Sequence, residues 1–240
     1  IVAFIAGSLA GCITGILNVK LKITDLLSGI LVMTAMWSVN LAITKGSAVL
    51  PFYNKNTIFN TGLVQILPES VQKYRVLIIA GLMMLVVKIL MDLYLKTKSG
   101  LLLRAAGDNP QFVTSMSRNP GVMKIIGLAI GNGCTALAGS ILSQQNESAN
   151  ITSGTGMVIL SLASVIIGTS IFSKVKFMKA TTMAVIGAII YKMCLVAAMQ
   201  LGLPTNYLKI LMAVIFTVAL VSNNFFSKGR RKQNVQPNKL

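Results

Sequence analysis

Long apolar runs alternate with short polar segments along the whole chain, at roughly residues 1–19, 26–44, 76–95, 122–143, 156–173, 180–200 and 207–226. Each is close to the ~20 residues with which a helix crosses the ~30 Å hydrocarbon core of a bilayer. Backbone N–H and C=O groups find no water there, and a helix satisfies them within one segment. The pattern predicts an all-α, polytopic membrane protein with about seven transmembrane helices. Residues 1–227 read as one membrane domain and 228–240 as a basic tail.

The polar segments differ in character. The stretch LLLRAAGDNPQFVTSMSRNPG, residues 101–121, carries start and stop signals. Asn109 suits an N-cap and Pro110 the first helical position, where no amide donor is needed. A helix is expected from Pro110 to Arg118, stopped by Asn119-Pro120-Gly121. On it Phe112, Val113 and Met116 share one face, while Gln111, Thr114, Ser115 and Arg118 cover the others. About nine residues span roughly 13 Å, a ridge that could fit a groove in a soluble partner. The alternative is an ordinary loop with a helical turn. Residues 45–75 are expected to lie along the membrane interface, with a helix near Gln65–Tyr74. Residues 144–155 read as a flexible polar loop, whose sequons at Asn146 and Asn150 arise by chance. Gly168-Thr169-Ser170 suggests a broken helix end, tolerated in a membrane only where protein or water supplies hydrogen bonds.

Composition agrees with a membrane protein: 54% hydrophobic, 11% charged and a mean hydropathy of +0.75. The net charge of +17 would suit nucleic acid, but its placement points elsewhere. With the C-terminal tail in the cytoplasm, fifteen Lys and Arg fall on the inner side. Lys45, Lys55, Lys73 and Arg75 are the four left in outer loops. That is the positive-inside asymmetry, so the basic charge sets topology. It also places 101–121 in the cytoplasm. The N-terminus then lies outside, yet Ile1 stands inside an apolar run with no charged signal-peptide region. The expectation is one further span before it, giving eight in the full protein and both ends in the cytoplasm.

Gly7, Gly11 and Gly15 line one face of the first run, and Gly127 and Gly131 repeat the spacing in the fourth. Small residues at this spacing let helices in lipid approach closely. They serve packing within one bundle, or a moving or dimerising interface. Catalytic chemistry finds little support. The chain has no His and five carboxylates, Asp25, Glu69, Asp92, Asp108 and Glu147, none close to another in sequence. Cys12, Cys134 and Cys194 lack metal-ligand spacing. The chain is expected to be no enzyme and to bind no metal.

Inside the spans, Lys88 and Asp92 stand i,i+4 and can pair. Lys192 has no local partner where a charge costs about 2.5–3.5 kcal/mol on insertion scales. It lines a watered path, or its stem reaches an interface. Trp37 and Asn40 in the second run, and Asn132 and Thr135 in the fourth, are further candidates for a solute path. Their bland role is hydrogen bonding between helices.

The stretch LRAAGDNPQFVTSMSRNPGVMKIIGLAIGNGCTALAGSIL resembles the signature region of bacterial ABC importer permeases serving branched-chain amino acids, ribose and nucleosides. GTGMVILSLASVIIGTSIF is similar to that family's other recurrent stretch. LKITDLLSGILVMTAMWSVNLAI resembles an amino-acid subgroup, tryptophan among its assigned solutes, paired with lipoprotein binding proteins. Two departures stand out: the first span is missing, and SIFSKVKF lacks the Gly-Gly pair that follows Gly-Thr-Ser in ribose-type relatives.

The resemblance implies a multi-pass subunit of a bacterial cell membrane. Two such subunits, here a homodimer, form the pore in membrane lipid, with no nucleic-acid partner. A cytoplasmic ATPase dimer binds ATP and Mg, while this chain binds no cofactor. An extracytoplasmic binding lipoprotein delivers the solute, an amino acid or related small molecule. A coupling helix at about 108–119, comprising Asp108, Asn109, Pro110, Gln111, Phe112, Val113, Met116, Arg118 and Asn119, transmits motion from the ATPase. The alternatives are an ion-gradient-driven secondary transporter and a non-transporting membrane scaffold.

Overall fold

The first six apolar runs fold as helices at nearly the positions that hydropathy assigns. The computed structural model describes residues 1–53, 55–60, 74–154, 157–172 and 178–202, together with 207, 210, 213, 214, 217 and 218. Helix α1 covers Val2–Val19, α2 Asp25–Ile43, α3 Arg75–Tyr94, α4 Lys98–Asp108 and α5 Pro110–Ser115. Then come α6 Pro120–Gln145, α7 Met157–Phe172 and α8 Ala180–Gln200. Among the described residues, α1, α2, α3, α6 and α8 are long and apolar enough to cross a membrane. The expected interfacial helix near 65–74, most of the seventh run and the basic tail lie outside the described residues.

The chain divides into two units, Ile1–Thr152 and a second beginning at Ser153. The first is organised by α1 against α6. A Cβ added to Gly7 would lie 2.6 Å from Asn132 O; one on Gly15 would lie 2.9 Å from Ile125 Cα. One on Gly11 would strike Leu128 O and lie 2.8 Å from Ala129 Cα. As numbers rise on α1 they fall on α6, so the two helices run antiparallel with their backbones nearly touching. Small residues permit this approach, and dispersion between close backbones holds it.

The fourth run does not answer with the glycines that spacing selects. A Cβ on Gly131 would meet nothing within 4 Å, whereas one on Gly133 would crowd Ser8 and Phe4. Gly127 faces the Leu103 side chain of α4. A period of four cannot tell which side of α6 meets α1; the crossing of the two axes decides it.

In the second unit α7 packs on α8. A Cβ on Gly187 would strike Ser164 O and lie 2.7 Å from Gly168 N, and one on Gly168 would strike Met183 O. Ala163, Tyr191 and Leu195 are buried beside this crossing, with Leu160 and Ile167 against them. The expected break at Gly168-Thr169-Ser170 is absent. Helix α7 continues to Phe172, and Thr169 Oγ1 donates back to Val165 O at 2.8 Å. Gly168 serves close approach, so its missing side chain makes room for a neighbour without breaking the helix.

The segments expected on the outer side are more ordered than their polarity suggests. Strands β1 (Val49–Pro51) and β2 (Ser148–Asn150) pair antiparallel, Val49 opposite Asn150 and Pro51 opposite Ser148. Ile58 N donates to Gln144 Oε1 at 3.1 Å, and Asn60 Nδ2 to Glu147 Oε1 at 3.3 Å. Phe59 and Ile79 are buried together, with Val76, Met83 and Ile141 around them. The loop expected at 144–155 is therefore replaced, as far as residue 154, by the end of α6, β2 and a 3₁₀ turn at Ile151–Gly154. Asn150 Oδ1 accepts from Thr152 N at 2.9 Å and from Thr152 Oγ1, which gives this sequon a role in the turn.

Candidate functional site

Three helices in succession form an elbow on the basic side of the first unit. Helix α4 opens on Thr97, whose hydroxyl accepts from Gly100 N at 3.2 Å. It closes at Asp108, and Asn109 N donates to Ala105 O at 2.8 Å. Asn109 then caps α5: its Oδ1 accepts from Gln111 N at 3.0 Å and Phe112 N at 3.3 Å. Pro110 stands at the first position. Ten residues on, Asn119 and Pro120 repeat the device for α6, with Asn119 Oδ1 accepting from Gly121 N at 2.8 Å.

Helix α5 ends earlier than the sequence suggests. Ser117 takes a left-handed conformation, φ 56°. Its N–H reaches Thr114 O at 3.0 Å, and Arg118 N reaches Val113 O at 3.2 Å. These two bonds make a Schellman ending, so α5 covers Pro110–Ser115 and Asn119-Pro120-Gly121 begins α6. The sequence reading also omits α4. Thr97 as a cap and the run of Leu and Ala after it were available signals, but the preceding apolar run masks them.

The expected shared face is divided. Val113 is fully buried, while Phe112 and Met116 are each 53% exposed. Six residues turn through less than two turns, and α5 rests on α4 and α6. One apolar side chain therefore anchors it and the others face out. Asp108, Gln111, Arg118 and Asn119 are exposed around them.

The candidate path residues are placed less tellingly. Trp37 and Asn40 are exposed on α2, Asn132 and Thr135 on α6, and Lys192 on α8. Asn132 Nδ2 donates to Leu128 O at 2.9 Å and Thr135 Oγ1 to Gly131 O at 3.0 Å. Both bonds stay within α6, where a glue between helices would have reached across. A mostly apolar cavity of about 510 Å³ lies between the start of α1, α3 and α6, bounded by Phe4, Met83, Cys134 and Gln144 among others. None of the five candidates lines it. Lys88 and Asp92 pair as their spacing predicts, at 3.2 Å on α3.

Five described helices long and apolar enough to cross a membrane, with a short capped helix between two of them, define a multi-pass helical membrane protein. The chain belongs to the family described as "Branched-chain amino acid transport system / permease component", whose model matches residues 1–220. It is a permease subunit of an ATP-binding cassette importer in the cell membrane.

A "Tyrosine transport system permease protein" of Clostridioides difficile (strain R20291) is 38% identical over 224 residues, covering 93% of this chain and 72% of the relative. An uncharacterized protein of Rickettsia prowazekii (strain Madrid E) is 28% identical, covering 92% and 77%. The "Ribose import permease protein RbsC" of Haemophilus influenzae is 24% identical, covering 93% and 67%. No solved structure gives a significant match.

Proposed function

We propose that this permease carries an amino acid inward, and that α5 with its flanks, Asp108 to Asn119, is the helix through which a separate cytoplasmic ATPase drives it. The observation that carries the coupling role is α5 itself: capped at both ends, anchored by buried Val113, and exposing Phe112 and Met116. A short rigid element whose apolar groups face solvent is a fit for a groove in a soluble partner. Two copies of the chain form the pore, and an extracytoplasmic binding lipoprotein supplies solute. ATP and Mg bind the ATPase, and this chain hydrolyses nothing. The tyrosine-transport relative supports an amino-acid solute and makes tyrosine the first to assay. Trp37, Asn40, Asn132 and Thr135 in the first unit, and Lys192 in the second, are each proposed to contact the solute.

The test is reconstitution in vesicles with the ATPase and binding protein. Uptake of labelled tyrosine needs both partners and ATP. Phe112→Asp and Met116→Asp each lower uptake per ATP hydrolysed at least tenfold, on the scale of typical coupling energies, while the membrane domain stays folded. Uptake driven by a proton or sodium gradient alone overturns the importer mechanism. Wild-type uptake by both variants, with normal ATPase co-purification, overturns the docking assignment.

A further inference from the structure

One ion pair ties the segment just after α5 to a span far away in sequence. Lys124 lies about one turn into α6, and its Nζ is 2.7 Å from Asp25 Oδ1. Asp25 is the first residue of α2. The same carboxylate oxygen accepts from Asn18 Nδ2, and that amide also donates to Ile23 O at 2.8 Å. The end of α1, the start of α2 and the start of α6 thus meet at one carboxylate. Lys22, in the turn between α1 and α2, is held at φ 54°, a conformation that disfavours a side chain.

Two features make this contact a poor stabiliser and a good latch. The Lys124 and Asp25 side chains are 44% and 74% exposed, so water competes at both ends and the pair adds little to folding. Asp25 sits at a helix N-terminus, where the backbone N–H groups favour an anion; its charge is accommodated whether the pair is closed or open. The surrounding mechanics point the same way. Helix α6 follows α5 after a four-residue link, Met116–Asn119, so displacing α5 moves the start of α6. Helix α1 is locked to α6 by its glycine face. On α2, by contrast, Ser28 is the one residue buried among those described, so little packing resists its tilt.

We propose that Asp25 and Lys124, steadied by Asn18, form a positioning latch that passes motion of α5 through the start of α6 to α2. This rests on the coupling role of α5. Helix α2 carries Trp37 and Asn40, so the latch links the ATPase side to the proposed path. The three residues touch neither solute nor nucleotide in this role.

Charge exchange tests it in the full complex in vesicles, with labelled tyrosine as the probe. Asp25→Lys and Lys124→Asp, each alone, lower uptake per ATP by roughly tenfold, while ATP hydrolysis continues. The double exchange returns the ratio to within about threefold of wild type. Thermal unfolding of the purified chain changes little in Lys124→Asp and falls alike in Asp25→Lys and the double exchange, which both remove the anion from the start of α2; a merely structural role would leave the double exchange as impaired as Asp25→Lys. Single variants with the wild-type ratio, or a double exchange no better than the singles, overturn the latch. Wild-type uptake that runs without ATP would instead defeat the importer mechanism. That result takes the latch down with it, whereas ATP-dependent uptake without rescue overturns the latch alone.

Discussion

Replacing Gly11 by Ala should loosen the first unit, and the same change at Gly131 should not. A Cβ on Gly11 would strike Leu128 O and lie 2.8 Å from Ala129 Cα, where ordinary contact begins at 3.4 Å. Both obstacles are backbone, so no rotamer change relieves them, and α1 must move off α6 by at least about 0.6 Å, the difference between the 2.8 and 3.4 Å distances, Leu128 O lying closer still. A gap of that size forfeits about a quarter of each dispersion well, and ~40 atom pairs near 0.15 kcal/mol each then lose on the order of 1.5 kcal/mol. Overpacking strain of about 1–3 kcal/mol is the independent benchmark. Gly131 meets nothing within 4 Å, so Gly131→Ala gains up to about 1 kcal/mol of helix propensity. Gly11 also lies inside a helix, so the propensity gain is common to both variants and cancels. Thermal or denaturant unfolding in one detergent should separate them by about 1.5 kcal/mol, the packing loss. Equal stability, or Gly131→Ala the weaker, refutes the packing argument.

Three further outcomes are expected. Asn109→Ala removes both side-chain bonds to Gln111 N and Phe112 N. That should cost about 1 kcal/mol locally, read as faster hydrogen exchange at those amides with α6 unaffected. Ser117→Gly relieves a left-handed residue at the end of α5 and should stabilise the elbow by about 1 kcal/mol, raising Tm; a lower Tm contradicts the Schellman ending. Lys192→Met removes an exposed cation from α8 and should reduce tyrosine uptake severalfold without lowering Tm. Unchanged uptake assigns Lys192 to packing or interface anchoring.

Much of the elbow was legible residue by residue. Asn109-Pro110 announces a helix start because the cap acts over two or three positions, and the structure places both bonds there. The end of α5 is not visible in the sequence, because Ser117 carries no glycine-like mark of a left-handed residue. The burial of Val113 is not visible either, because it depends on a six-residue helix resting on its neighbours.

The sequence by itself determined where the described apolar helices lie, the i,i+4 pairing of Lys88 with Asp92 and the family. Hydropathy, charge asymmetry and caps act within a few residues of their source. Tertiary structure alone decided that Gly133, and not Gly131, meets α1. It also decided that β1 pairs with β2, and that Lys124 reaches Asp25 across 99 positions. Such contacts depend on how helix axes cross and how distant ends come together, and no local periodicity encodes that.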